Sequence, residues 1–454
     1  MQKAFREPVI VIGGGLAGPE AAWRVARAGL RVRLYEMRPH KNTPAHQTSE
    51  LSELVCSNSF KSEKPDTAPW LLKQELRRMG ALSMQTAAQC RLPAGHALTV
   101  DRAVYSQKIA EAVAAEPLIE LVREEFTELP SEPDQIVVVA SGPLTSDALA
   151  DSIGRLTGGD RLFFFDSISP IVDADSVDLT IAFRASRWDN SLDGTADYLN
   201  CPFDKPQYER FYQALLEAEQ HHTHDWDNPN FFEGCLPIEE IARRGKDTLR
   251  FGPMKPAGLT DPRTGRWPYA CVQLRQETAR ADSYNLVGFQ NHLKYAEQKR
   301  ILQLIPGLEN AEFLRYGQIH RNTYINGPAL LAPTLQLRSH PHILFAGQIS
   351  GVEGYVESMS TGLMAGWNAA RLAQGQDPLE WPRETAHGSL AAYICGADPK
   401  HYQPANITFD LLPALPPEEQ GRGRKDRQAR RARQCARGLA ALESFLNAHA
   451  ELAA

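Results

Sequence analysis

The chain has 454 residues, 43% hydrophobic and 23% charged, and a formal net charge of −6. These proportions sit near the globular average, which excludes a mostly disordered chain and sets two or three structural units as the expectation for this length. A negative balance also argues against an indiscriminate polyanion binder.

The first residues carry no cleavage pattern behind an apolar core, so no signal peptide is expected and the location is read as cytoplasmic. No stretch approaches the roughly 18–20 apolar residues of a membrane helix. Val9-Ile10-Val11-Ile12 has the β-branched character of a buried parallel strand. It runs into Gly13-Gly14-Gly15-Leu16-Ala17-Gly18, a GxGxxG pattern. Residues 19–29 then read as a helix with Ala21, Ala22, Val25 and Ala26 on one face and Gly29 as its stop. Val32, Leu34 and Tyr35 form a second strand that ends at Glu36.

Residues 38–68, rich in Pro, Ser, Thr, Asn, His and Lys, read as an ordered functional loop, since a loop this long in a compact domain needs a reason. Helices follow over 71–79 and 102–115, and strands over 118–122 and 136–140. Residues 160–310 are aromatic and turn-rich, with Trp188, Tyr198, Trp226, Phe231, Phe232 and Trp267, and lack strand–helix alternation. They read as an inserted α+β unit. Ile343-Leu344-Phe345-Ala346-Gly347 marks the return of the first unit. A helix over 358–373, a proline-rich joint over 404–417 and a basic helix over 421–448 complete the chain.

The glycine pattern sits in its full context of strand, helix, strand and acid. Its glycines permit a tight turn, close approach of backbone to a pyrophosphate and helix–strand packing. The helix N-terminus offers N–H groups to phosphates. Glu36, 18 residues past Gly18, suits a ribose diol and disfavours a 2′-phosphate. A second glycine-rich strand end, with Gly347, Gln348, Gly351 and Gly354, resembles the element that closes over the flavin half of FAD, so FAD is favoured over NAD. The fold class expected is α/β: a Rossmann-like, glutathione-reductase-type FAD-binding domain with a smaller inserted α+β domain. Residues 1–160 form its first part, 161–310 the insertion, and 311–454 its second part with the basic C-terminal helix.

Seven cysteines, never closer than 34 residues, include no CxxC. Reduced thiols and no metal site are expected.

The opening VIVIGGGLAGPEAAW, the loop from Arg38-Pro39 to Thr48, Leu54-Val55-Cys56-Ser57-Asn58-Ser59-Phe60, Glu233-Gly234-Cys235-Leu236-Pro237-Ile238-Glu239 and the 343–366 segment together resemble the TrmFO family. These are folate- and FAD-dependent tRNA (uracil-C5)-methyltransferases, related to the MnmG (GidA) flavoproteins. The resemblance runs from residue 8 to about residue 415. It implies methylation of the T-loop uridine at position 54 of tRNA to 5-methyluridine. The carbon would come from 5,10-methylenetetrahydrofolate, with FAD reduced by NADH or NADPH.

Uracil C5 becomes nucleophilic when a thiolate adds to C6, so the reaction wants a cysteine, a base and a hydride source. Given the resemblance, Cys56 is read as the nucleophile and Cys235 as its partner, taking the C5 proton or holding the uracil; the roles are exchangeable. Gln290, Asn291 and His292 offer amides and an imidazole, and the resemblance implies that they belong to the folate site, with His292 covering the pterin. Arg243, Arg244, Lys246, Arg250, Lys255, Arg263 and Arg266 against Asp247 and Asp261 give residues 241–266 a local balance of +5. The first five are the candidate RNA contacts, with Trp267 and Tyr269 as stacking partners. Residues 421–433 carry +6 and are a second candidate. The competing readings are an MnmG-like modification of a tRNA wobble uridine, an FAD-dependent oxidoreductase of small molecules, and an RNA-binding protein with a structural flavin.

Overall fold

The computed structural model describes residues 8–131, 133–158, 162–189, 191, 196–221, 236–420 and 424–449; for residues 162–167, 319–321 and 424–425 it describes the backbone alone. Trp226, Phe231, Phe232 and Cys235 lie outside the described residues.

The first unit is built on a six-stranded sheet. Strand β1 (Val9–Ile12) is buried at all four residues, which is why both faces are apolar. It is flanked in parallel by β2 (Val32–Tyr35) and by Val137–Val139; Ile119–Val122 extends the sheet beyond β2, and His340–Phe345 extends it beyond Val137–Val139. Gln336–Leu337 adds an antiparallel edge. The strands expected at 118–122, 136–140 and 343–346 are therefore present, and the last is joined to β1 through the middle one.

Helix α1 (Ala17–Arg27) crosses the helix Tyr355–Ala373 at close range because both carry small residues at the crossing. A Cβ on Gly362 would collide with the Ala17 carbonyl oxygen, and one on Gly366 would sit 2.6 Å from that of Ala21. A Cβ on Gly347 would lie 2.9 Å from Cβ of Ala17. The crossing thus sets the two glycine-rich strand ends beside one another.

The long loop after β2 is tied into a small sheet of Ser59–Ser62, Ala97–Val100 and Arg91–Leu92. Buried Lys73 holds that edge by donating to the carbonyls of Phe60 at 2.8 Å and Ser62 at 2.7 Å.

The chain leaves this unit along Leu162–Ser167 and returns along Ile319–Tyr324, two strands paired antiparallel. Between them lies a six-stranded sheet in the order Phe183–Ala185, Tyr198–Phe203, Ala270–Gln276, Ser283–Leu286, Ile171–Asp173, Phe313–Arg315, with its own apolar core around Phe203, Phe211, Leu274 and Phe289. Its edge strand Phe313–Arg315 runs past residue 310, so the inserted unit ends a few residues later than the aromatic composition indicates. The C-terminal helix Arg424–Ala448 packs on Ala68–Arg78 through buried Cys435 and Leu442. No helix among the described residues is long and apolar enough to cross a membrane.

Candidate functional site

A cleft of about 1200 Å³, including its open mouth, lies at the C-terminal ends of β1, β2 and Val137–Val139. Ligands of open α/β sheets bind at this edge. Gly13, Gly14, Gly15, Glu36, Gly347 and Gln348 line it, together with Cys56 and Tyr355.

The glycines divide by role. A Cβ on Gly13 would strike the Ala140 carbonyl, and one on Gly14 would sit 2.6 Å from a Glu36 carboxylate oxygen. Nothing lies within 4 Å of the Cβ position of Gly15. Gly15 therefore leaves its backbone open to a phosphate, at the uncapped N-terminus of α1. Gly18 packs against the Gly13 carbonyl and does not line the cleft, as expected of the third glycine of such a turn. Gly351 and Gly354 do not line it either. Gly351 makes room for the Tyr402 hydroxyl, and Gly354 sits among Glu357, Lys61 and Asn406 ahead of the helix Tyr355–Ala373. The amide of Gln348, standing where an acid is usual, donates to Glu353 at 2.5 Å.

Glu36 accepts from the Gly14 N–H at 2.8 Å and from Arg38 through its backbone N–H and Nε, both at 2.9 Å. Burial opposes ionisation of Glu36, but the hydrogen bonds and charge of Arg38, with the Gly14 N–H, outweigh it and hold the carboxyl below its ordinary range. Arg38, 1% exposed, also bridges to Glu53 at 3.1 Å. Burial beside this cation pushes the His46 imidazole down to about 4. These residues fit a dinucleotide cradle, with open backbone for a pyrophosphate and a fixed carboxylate for a ribose. Removing one member of a buried ion pair costs about 3–5 kcal/mol, so Arg38→Ala is expected to lose stability of that order in chemical denaturation. The Glu36 contribution is present above the unfolded glutamate value of about 4.3 and is lost as pH falls through the lowered folded value. Glu36→Gln should flatten that acid limb; an unchanged limb would exclude Glu36 as its source.

Cys56 lies on the same cleft wall. The Tyr355 oxygen accepts from the N–H groups of Cys56 at 2.8 Å and Ser57 at 3.0 Å, and Sγ of Cys56 is 3.0 Å away. With both lone pairs of that oxygen engaged, the phenolic proton is free to point at sulfur. Burial pushes the Tyr355 phenol well up, so it keeps its proton near neutral pH. The backbone just before Cys56 is held by guanidinium groups: Arg102 donates to Leu54 O at 2.7 Å and Arg315 to Val55 O at 2.9 Å. Burial and neighbouring Arg102 lower Arg315 to about 10, which leaves it a cation. Arg275, on the inserted sheet, reaches Ser57 Oγ at 2.8 Å and Asn58 Oδ1 at 2.9 Å. The cysteine loop is therefore clamped between the two units.

Cys235 lies outside the described residues, but the end of its motif does not. Ile238 N–H donates to Gln290 O at 2.7 Å, and Glu239 pairs with His292 Nδ1 at 2.7 Å. Asn291 donates to Phe289 O at 3.1 Å. The candidate folate segment and the described end of that motif, Ile238 and Glu239, are thus neighbours within the inserted unit. His292 is 5% exposed and does not line the cleft.

The basic segment is less free than its composition indicates. Arg243 pairs with Glu240, Lys246 with Glu209 at 2.6 Å, and Arg250 with Asp247 at 2.8 Å. Arg244 and Lys246 border a shallow cleft beside exposed Phe251. Lys255 is exposed. Tyr269 is covered by Arg250, 3.7 Å above its ring, and is not an open stacking surface. In the C-terminal helix Arg431 lies over Phe409 and Arg437 donates to Ala414 O at 3.0 Å, so part of that charge is spent on packing.

Tyr355, Arg102, Arg275 and Arg315 carry no local sequence signal for this site, and Arg38 stands in the sequence only as the start of a loop. The helix begins at Tyr355, three residues before the 358 read from the sequence, which is why the sequence leaves Tyr355 outside it.

The family model described as glucose inhibited division protein A matches residues 8–377. A protein of Solibacter usitatus named methylenetetrahydrofolate–tRNA-(uracil-5-)-methyltransferase TrmFO is 64% identical over 97% of this chain and 99% of its own length. One of the same name from Koribacter versatilis is 60% identical over 96% of this chain and 97% of its own. The crystal structure of Aquifex aeolicus GidA superposes with a TM-score of 0.69 over 96% of this chain and 73% of that one, at 16% identity, and shares the fold.

Proposed function

The chain belongs to the TrmFO family of GidA-type proteins, and from that premise we propose that it methylates C5 of uridine in tRNA with carbon from 5,10-methylenetetrahydrofolate. We take the target as the T-loop uridine at position 54, the cofactor as FAD and its reductant as NADH or NADPH. The observation that carries this reading is the presence of the dinucleotide cradle and the Cys56–Tyr355 pair on one cleft.

Gly14, Gly15 and the α1 N-terminus would hold the pyrophosphate of FAD, Glu36 the adenosine ribose, and Gly347 and Gln348 the flavin half. When bound, the flavin supplies the reducing equivalents that take the transferred carbon from methylene to methyl level.

Cys56 provides the thiolate that adds to uracil C6. The Tyr355 hydroxyl donates to that sulfur and steadies its charge. Arg102 and Arg315 keep the loop in place and add positive potential beside it. C5, now enolate-like, attacks the one-carbon electrophile; its proton then leaves, the bond from that carbon to its carrier breaks, a hydride equivalent completes the methyl group, and the thiolate is expelled. Cys235 takes that proton or holds the base. Glu239 orients the His292 imidazole, which in this reading covers the pterin.

The test is incubation with unmodified tRNA, methylenetetrahydrofolate and NADPH, followed by nucleoside analysis. 5-Methyluridine that requires both tRNA and folate supports the reading. NADPH consumption indifferent to both would instead identify an oxidoreductase of small molecules.

A further inference from the structure

We infer that Trp188 and Trp267 form a preset platform on the inserted unit on which an unpaired base of the tRNA substrate stacks, apart from the reacting uridine; this rests on the tRNA reading above.

Trp188 and Trp267 are 60% and 51% exposed, and their rings meet edge to face with centroids 5.2 Å apart. Burying a bulky ring is the usual outcome for tryptophan, so two adjoining exposed indoles need a reason. The backbone adds one. Trp188 has φ 58° and ψ 27°, in the left-handed region, and Asp189 follows at φ 51°. That conformation is rare for a bulky side chain and persists only where surroundings impose it.

The surroundings do so. Trp188 N–H donates to Gly258 O at 2.8 Å, and a Cβ on Gly258 would lie 2.7 Å from the Trp188 ring. The absent side chain of Gly258 is therefore the seat of the indole. Arg187, one residue earlier, donates to Ala257 O at 3.0 Å and to Gln273 Oε1 at 2.9 Å, anchoring the turn to the inserted sheet. Trp267 closes a tight turn in which Asp261 N–H donates to Arg266 O at 3.0 Å and Gly265 N–H to Asp261 O at 2.8 Å. Asp261 clamps Arg263 at 2.9 Å. Lys255 and Arg266 are exposed and form no ion pair among the described residues.

Rigid aromatic faces with exposed cations close by in the chain match an unpaired nucleotide, whose base stacks while its phosphate is neutralised. A second protein copy would not call for Lys255 and Arg266, which are exposed and form no ion pair among the described residues. Local sequence does not show the platform, because Gly258 and Trp267 lie far along the chain from Trp188.

The test uses full-length protein with its FAD content confirmed by absorbance, and unmodified tRNA transcript as the probe. Trp188→Ala and Trp267→Ala are expected to weaken binding about tenfold or more. The slope of affinity against salt should stay unchanged, because no phosphate contact is lost. Trp188→Phe should recover part of the affinity, and Arg266→Gln should instead reduce the salt slope. Wild-type affinity in Trp188→Ala overturns the platform alone, as does a variant that changes only self-association in sedimentation. Wild-type protein that fails to bind tRNA overturns the tRNA reading and the platform with it.

Discussion

Alanine at Cys56 is expected to abolish 5-methyluridine formation while leaving FAD bound, because Cys56 lines the cleft and contacts Tyr355, whereas the cradle is built from Gly14, Gly15 and Glu36. In RNA carrying 5-fluorouracil at the target, the covalent protein–RNA adduct should disappear in Cys56→Ala and persist in Cys235→Ala. The reverse pattern would exchange the two roles, and methylation by both variants would sink the thiolate scheme. Tyr355→Phe isolates one hydroxyl. It removes the donor at 3.0 Å from sulfur and the acceptor of two backbone N–H groups. A hydrogen bond to a charged group is worth about 1.5–3 kcal/mol, so a roughly 10- to 150-fold slower transfer is expected. Alkylation of Cys56 should also move to higher pH in that variant, a readout that simple loosening of the loop would not produce.

The second large effect lies away from the chemistry, at the crossing of α1 with Tyr355–Ala373. Gly362→Val would drive side-chain atoms into the Ala17 carbonyl, and Gly366→Leu into that of Ala21. The obstacle is backbone in both cases, so no rotamer relieves it. Overpacking costs about 1–3 kcal/mol and sometimes more, and here the strain falls on the contact that sets the two glycine-rich strand ends together. Both variants should melt at lower temperature and lose FAD before they unfold. Gly154, in the helix Asp147–Thr157 with nothing within 4 Å of its Cβ position, is the control. Gly154→Ala should be neutral or stabilising by about 0.4–1 kcal/mol. Equal losses in all three variants would mean that helix glycines in general, and not this crossing, carry the effect.

Much of the frame was readable from local pattern. β1, its glycine turn, α1 and the acid at the end of β2 are contiguous, and each obeys a short-range rule of periodicity or backbone geometry. The return at Ile343–Phe345 was visible because a buried parallel strand is apolar throughout. What the sequence hid depends on partners distant along the chain. Gly351 lies against the Tyr402 hydroxyl and Gly354 among Glu357, Lys61 and Asn406, neighbours that no local pattern shows. The charge of Lys246 is met by Glu209, 37 residues earlier. The basic count therefore overstated what is free for RNA, although exposed pairs of this kind are worth little and can be exchanged for phosphates. The tie between His292 and Glu239 joins two motifs that composition treats separately.

The most direct measurement follows the carbon itself. Unmodified tRNA is incubated with the protein, NADPH and 5,10-methylenetetrahydrofolate deuterated at its methylene, and the nucleosides are weighed by mass spectrometry. The account predicts 5-methyluridine whose new methyl carries both deuterium atoms and one hydrogen, with none formed by Cys56→Ala. Unlabelled 5-methyluridine, or unchanged uridine from a yellow and folded protein, would contradict it.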